Sequence, residues 1–363
     1  MNEERKPSPF RENFLNLGSI SQYRNALYGV AILWIVMFHG VALENLEIGE
    51  NFFFFDQTFR MGNVAVDMFM LLSGICLYFS YSKGPKLGDF YLKRVVRVYI
   101  PYLLMTLPYI IYCFVDGQID LPLMIKAIFT VNFWTGESTP IDFWYISLLL
   151  VLYLLYPLFF LILFRPATGK LSQGAGELIR MLIMVAVSFA LSMVIFFCMS
   201  SVYVVLARAL SRITVFLFGC YLGKAVKEKR RFHWIFLVLS LLILIGAYPL
   251  YVGENSILRG IWGRYYGSLT GVAVVLLLSQ LFILLSYIKL DKVFGFFGSF
   301  SLEIYVMTIL GRKIFYNTPL YQEGEHVLRW YLIFMAVSIL AAYAVFWIEK
   351  PIAKLILGSK KKT

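Results

Sequence analysis

Ten apolar runs follow one another along this chain, at residues 25–43, 62–82, 98–116, 142–164, 178–200, 212–226, 232–252, 264–286, 293–315 and 327–349. A helical run of about 20 apolar residues matches the roughly 30 Å hydrocarbon core of a bilayer. In hydrocarbon every backbone N–H and C=O must be paired within the protein, so consecutive runs of this length fold as a helix bundle. Composition agrees: 60% of the 363 residues are hydrophobic and 15% are charged, where a soluble domain holds about half and about a quarter. The expected fold is all-α, a polytopic transmembrane bundle of about ten helices. The sixth run is the weakest, short and glycine-containing. The segment 121–134 (LPLMIKAIFTVNFW) is apolar but too short to span, and reads as re-entrant or interfacial.

The net charge of +12 is scattered among short loops. That pattern is topology, not a nucleic-acid surface. With the N-terminus in the cytoplasm, most of the 33 Lys and Arg residues fall on the cytoplasmic side, while the first outer loop carries Glu44, Glu47, Glu50 and Asp56. Both termini are then cytoplasmic. The expected organisation is a tail over 1–20, a transmembrane domain over 21–351 and a basic tail over 352–363, with Pro351 stopping the last helix. Cys76, Cys113, Cys198 and Cys220 all lie in apolar runs without metal spacing and read as small buried fillers. No metal and no tightly bound cofactor is expected.

Ionisable residues inside hydrocarbon are costly and are functional candidates by default. His39 lies near the outer end of the first run, and Asp67 near the outer start of the second. At 1.5 Å per residue the two reach similar depth in adjacent antiparallel helices. An aspartate beside an imidazole fixes its tautomer and raises its basicity, which suits a general base. The other reading is a polar pair that joins two helices. Arg94 and Arg97, in KRVVR, share a helix face at a spacing of three. They suit either a phosphate-bearing ligand or anionic lipid. Asp142, Trp144 and Tyr145 mark the outer mouth of the fourth run, with Tyr153 deeper. Arg212 opens the sixth run on the outer side. Glu303, near mid-membrane, needs a partner or a proton. His233 and His326 read as surface residues.

Together these segments resemble the acyltransferase family 3 of bacterial membrane O-acyltransferases. The resemblance rests on Arg24 to His39 with its terminal Phe-His pair, on VDMFMLLSGICLYF, and on FYLKRVVRVYIPY with its Arg-x-x-Arg signature. FWYISLLLVLYLLYP, SRITVFLFG, SLEIY and IEKP follow in the family's order, over roughly residues 20–350. Three positions depart from the pattern. Tyr28 stands where many members have a basic residue, with Arg24 one turn earlier. Leu149-Leu150 replaces a Glu-Glu of some branches. Thr308 replaces a frequent histidine.

The resemblance implies transfer of an acyl group, most often acetyl, from cytoplasmic acyl-CoA to a sugar hydroxyl of a cell-surface glycan or its lipid-linked precursor. It implies a multi-pass protein of the bacterial plasma or inner membrane. His39 and Asp67 would be catalytic. Arg94, Arg97 and Arg24 would hold the donor. Asp142, Trp144, Tyr145, Tyr153, Arg212 and Glu303 would receive the acceptor or support the site. The rival reading is a transporter or flippase for a lipid-linked or polyanionic glycan, in which buried His, Asp and Glu relay protons.

Overall fold

The computed structural model describes residues 14–40, 53–137, 139–140, 143–167, 171–252, 261–322 and 327–359. These are almost entirely helical. The main helices are α1 (Arg24–Phe38), α2 (Val64–Tyr81), α3 (Leu87–Val115), α4 (Trp144–Leu163), α5 (Gln173–Cys198), α6 (Ser200–Lys227), α7 (Ile235–Val252), α8 (Ile261–Leu285), α9 (Leu290–Gly298), α10 (Ser301–Tyr316) and α11 (Val327–Ser359).

Each of the ten apolar runs carries a helix. Seven helices among the described residues are long and apolar enough to cross a membrane: α2, α3, α4, α5, α6, α8 and α11. A broken pair, α9 and α10, bent by 65°, makes an eighth if counted as one span. The apolar stretches Arg24–Phe38 and Ile235–Ala247 are shorter.

Helices α2 and α6 form the interior. Their apolar windows are 67% and 61% buried within the protein, against 11% for α5 and 22% for α11. Glycine sets the α2–α6 approach. A Cβ on Gly74 would lie 2.5 Å from the Phe216 carbonyl oxygen, and one on Gly219 would lie 2.3 Å from that of Leu71. Gly219 and Gly223 are four apart, the small-residue spacing that lets helix backbones meet in hydrocarbon. Glycine likewise joins α1 to α9, where a Cβ on Gly29 would fall 1.8 Å from the Phe294 carbonyl oxygen and one on Gly298 would fall 1.8 Å from that of Asn25.

Three expectations change. The sixth run belongs to a helix of 28 residues, not a short one. Its N-terminal half holds Arg208, which is exposed, and Arg212, which is buried, and both lower the apolar signal. Pro351 does not stop the last helix, which continues to Ser359. The proline ring removes one backbone bond to the Trp347 carbonyl, and both residues are exposed, so that carbonyl is not stranded. The ninth run is not straight. Phe300 leaves helical geometry at φ −133° and ψ 36°, and its buried ring is held among Phe296, Tyr343 and Phe346. The segment 121–134 forms two short helices, Leu121–Ile128 and Asn132–Thr135, the first capped by the Asp120 side chain accepting from Leu123 N–H at 2.9 Å.

Candidate active site

Regular α-helix ends at Phe38, and His39 and Gly40 continue it as a wider π-helical turn. Such turns are rare and frequent at functional positions. Two contacts hold this one. The Tyr331 hydroxyl of α11 donates to the Val36 carbonyl at 2.6 Å. Gly40 carries no Cβ because one would lie 2.5 Å from the Tyr331 ring. The histidine is partly buried, and its Nδ1 is fully buried with no hydrogen-bond partner among the described residues. Buried polar atoms are nearly always paired, so an exception points to use. The charge that acts on the ring is that of Arg312, from α10. Arg312 Nη1 is also buried and unpartnered.

Asp67 does not orient His39 through Nδ1. It faces α6 and α8 instead. Oδ1 accepts from the Ser268 hydroxyl at 2.9 Å, and Oδ2 lies 3.7 Å from Arg212 Nη2. Both members of this pair are buried, at 1% and 4% exposure. Arg212 is further held by the Arg208 carbonyl at 3.1 Å and by Asn63 Oδ1 at 3.3 Å. Its guanidinium sits 5.3 Å from the Trp144 ring centroid, with Arg208 at 5.6 Å from the same ring. Depth alone brought His39 and Asp67 together on paper. The face of α2 that carries Asp67 is set by Gly271 of α8, where a Cβ would lie 2.7 Å from the Asp67 Cβ.

At the other end of the bundle Arg94 and Arg97 part company. The residues Val95–Tyr99 form a π-helical stretch within α3. Its wider turn breaks the α-helical rule that stacks residues three apart. Arg94 turns inward over the Phe90 ring at 4.9 Å and the Tyr153 ring at 5.8 Å, with its Nε buried and unpartnered. The Tyr156 hydroxyl, whose electrostatics bear on Arg94, is likewise buried and unpartnered. Arg97 is exposed, and its charge acts on Glu303 and Glu349. Those two carboxyls lie within hydrogen-bonding reach of each other, which supplies the partner Glu303 requires.

Tyr153 connects this mouth to the interior. The Ser73 side chain lies in hydrogen-bonding reach of Tyr145 and Tyr153. Tyr28 faces the same polar file, with its hydroxyl 3.8 Å from Cys76 Sγ and its ring 5.3 Å from Phe69. Tyr145 is buried edge-on to Phe69 and Tyr305. Arg24 is exposed and lines a surface pocket of about 400 Å³ with Asp291 and Lys292, a pocket whose lining does not include Arg94 or Arg97. The Thr308 hydroxyl is spent on the Ile304 carbonyl at 2.7 Å. His233 is exposed. Asp142 and His326 lie outside the described residues.

Sequence reasoning missed Arg312, Ser268 and the pairing role of Glu349. One signal for Arg312 was available. It is an arginine near the end of an apolar run that the expected topology places outside, against the charge bias of the other loops.

Seven described helices long and apolar enough to cross a membrane make this a multi-pass membrane protein. Residues 23–347 match the acyltransferase family 3, described as an acyltransferase domain, and the chain belongs to that family. It is a membrane acyltransferase. Neither a curated protein nor a solved structure matches the chain.

Proposed function

We propose that this chain moves an acyl group, acetyl in the simplest case, from cytoplasmic acyl-CoA to a hydroxyl of a cell-surface polysaccharide or its lipid-linked precursor. Both termini then face the cytoplasm of a bacterial plasma or inner membrane. The observation that carries the reading is the buried, unpartnered Nδ1 of His39 on its clamped π-helical turn. A base whose nitrogen is not spent on the protein accepts a proton from the acceptor hydroxyl as that oxygen attacks the thioester. Arg94, with its free Nε and the Tyr156 hydroxyl beside it, suits a phosphate of the donor at the opposite mouth. The two ends are about 22 Å apart along the 15 residues of α1. An extended pantetheine arm covers much of that length. The aromatic mouth of Trp144 and Tyr145, with Arg212 behind it, receives the sugar.

The deciding experiment replaces His39 with Ala in the full-length chain. Acylated glycan is expected to disappear from its mass spectrum while folded protein stays in the membrane. Normal acylation in that variant would sink the reading. The Glu303 and Glu349 pair is what favours the rival, a proton-coupled transporter or flippase. Release of free thiol from acyl-CoA by the purified protein separates the two.

A further inference from the structure

Two buried polar atoms without partners among the described residues come from different helices: His39 Nδ1, just past the end of regular α1, and Arg312 Nη1 on α10, which packs beside α1. The charge of Arg312 acts on the His39 ring.

Side-chain contacts bridge the same two helices. Phe315, fully buried, lies 6.0 Å from the ring of Tyr331, the residue that binds the Val36 carbonyl and packs on Gly40. Arg312 itself keeps its guanidinium 5.8 Å from the Tyr316 ring. No carboxylate is paired with this arginine among the described ion pairs. A guanidinium nitrogen that is buried with no partner among the described residues is placed to meet negative charge from a ligand.

We propose that Arg312 is the second catalytic group of the site, donating from its guanidinium to the thioester carbonyl oxygen while His39 takes the acceptor proton. The inference rests on the acyltransferase reading of His39. The acceptor hydroxyl oxygen attacks the thioester carbon, its proton passes to His39, and the carbonyl π electrons move onto oxygen. Arg312 hydrogen-bonds that oxyanion. The oxyanion then collapses, the carbon–sulfur bond breaks, and the departing CoA sulfur takes the proton from the imidazolium. The products are the ester and CoA with a free thiol.

The test uses the full-length chain in membranes of cells that express it, with acetyl-CoA labelled in the acetyl group as donor. Arg312→Met is expected to lower maximal turnover about 10²–10³-fold, the loss seen when one oxyanion donor is removed. Half-saturating acetyl-CoA should stay within about threefold, because the interaction is made only in the transition state. Arg312→Lys, which keeps a charged donor, should recover at least about tenfold of that loss. Wild-type turnover in Arg312→Met would overturn the proposal. So would an unchanged maximal rate with a raised half-saturation for donor or acceptor, which would make Arg312 a ground-state binding residue. If Arg312→Met does not fold, Arg312→Gln decides by the same two criteria. His39→Ala run beside them separates the failures. An active His39→Ala enzyme removes His39 as the base on which the inference rests, whereas an inactive His39→Ala with an active Arg312→Met removes only the role of Arg312.

Discussion

Replacing Asp67 with Asn tests whether this carboxylate belongs to the fold or to the histidine. The two oppositely charged groups, Asp67 Oδ2 and Arg212 Nη2, are 3.7 Å apart and nearly inaccessible. At an effective dielectric of about 20 their attraction is about 4.5 kcal/mol. Desolvation of both groups offsets much of that, so the pair as a whole contributes little, while removing one partner costs about 3–5 kcal/mol. Asn keeps an Oδ1 acceptor for the Ser268 hydroxyl, and Arg212 keeps the Arg208 carbonyl, Asn63 and the Ser211 hydroxyl. Those retained bonds place the cost at the low end, about 3 kcal/mol. Adding Arg212→Gln removes the stranded charge, and the double variant should show a favourable coupling of about 1–3 kcal/mol in a denaturant-unfolding cycle. Turnover gives the second readout. Where a carboxylate orients a catalytic imidazole, its amide variant loses about 10⁴-fold. Here the loss per folded molecule should stay within about tenfold, since Nδ1 of His39 has no carboxylate to lose. An Asp67→Asn protein that unfolds like wild type yet turns over about 10³-fold more slowly would refute the assignment.

Three further outcomes follow from packing and from the inner mouth. Gly29→Ala or Gly298→Ala puts a methyl 1.8 Å from a facing carbonyl oxygen. Each should separate α1 from α9 and cost at least about 1–3 kcal/mol of stability, read as a lower midpoint of thermal unfolding in nanodiscs, and a midpoint equal to wild type would contradict the close approach. Tyr331→Phe removes the 2.6 Å bond to the Val36 carbonyl. It should cost about 1 kcal/mol, and faster amide exchange at residues 36–40 by mass spectrometry would show that the bond clamps the turn. Arg94→Ala should raise half-saturating acetyl-CoA with maximal rate kept, because a group that far from the thioester supplies uniform binding; an unchanged half-saturation would assign Arg94 to structure or lipid.

The helical bundle was legible because hydrocarbon leaves the backbone few choices. Periodic polarity then located His39, the arginines and Glu303 by depth. Depth is one coordinate only. Rotation about each helix axis decides partners, and glycines set it in pairs such as Gly74 with Gly219 and Gly271 against Asp67, which a single sequence does not reveal as pairs. The two π-helical turns, at His39–Gly40 and Val95–Tyr99, add a local rotation that α-helical spacing cannot anticipate. That is why Arg94 and Arg97 diverge and why Asp67 meets Arg212. The partner of Glu303 was illegible for a related reason. Glu349 lies at the far end of the chain, and only the packing of α11 against α10 brings the two carboxyls together.

The length of α1 explains why the chemistry proposed for His39 needs a membrane at all. Its 15 residues cover about 22 Å, against a hydrocarbon core of roughly 30 Å. On the proposed reading, with Arg24 at the inner boundary, His39 lies inside hydrocarbon, where water neither competes as acyl acceptor nor screens the charge of Arg312. The bend between α9 and α10 serves the same end. A straight helix through both would pass α1 at a single crossing, whereas the 65° break turns α10 away from the line of α9 while it still packs against α1. A broken helix and a glycine crossing thus set α10 beside the helix that carries His39, and on the proposed reading the low dielectric there strengthens the hydrogen bond that the oxyanion needs.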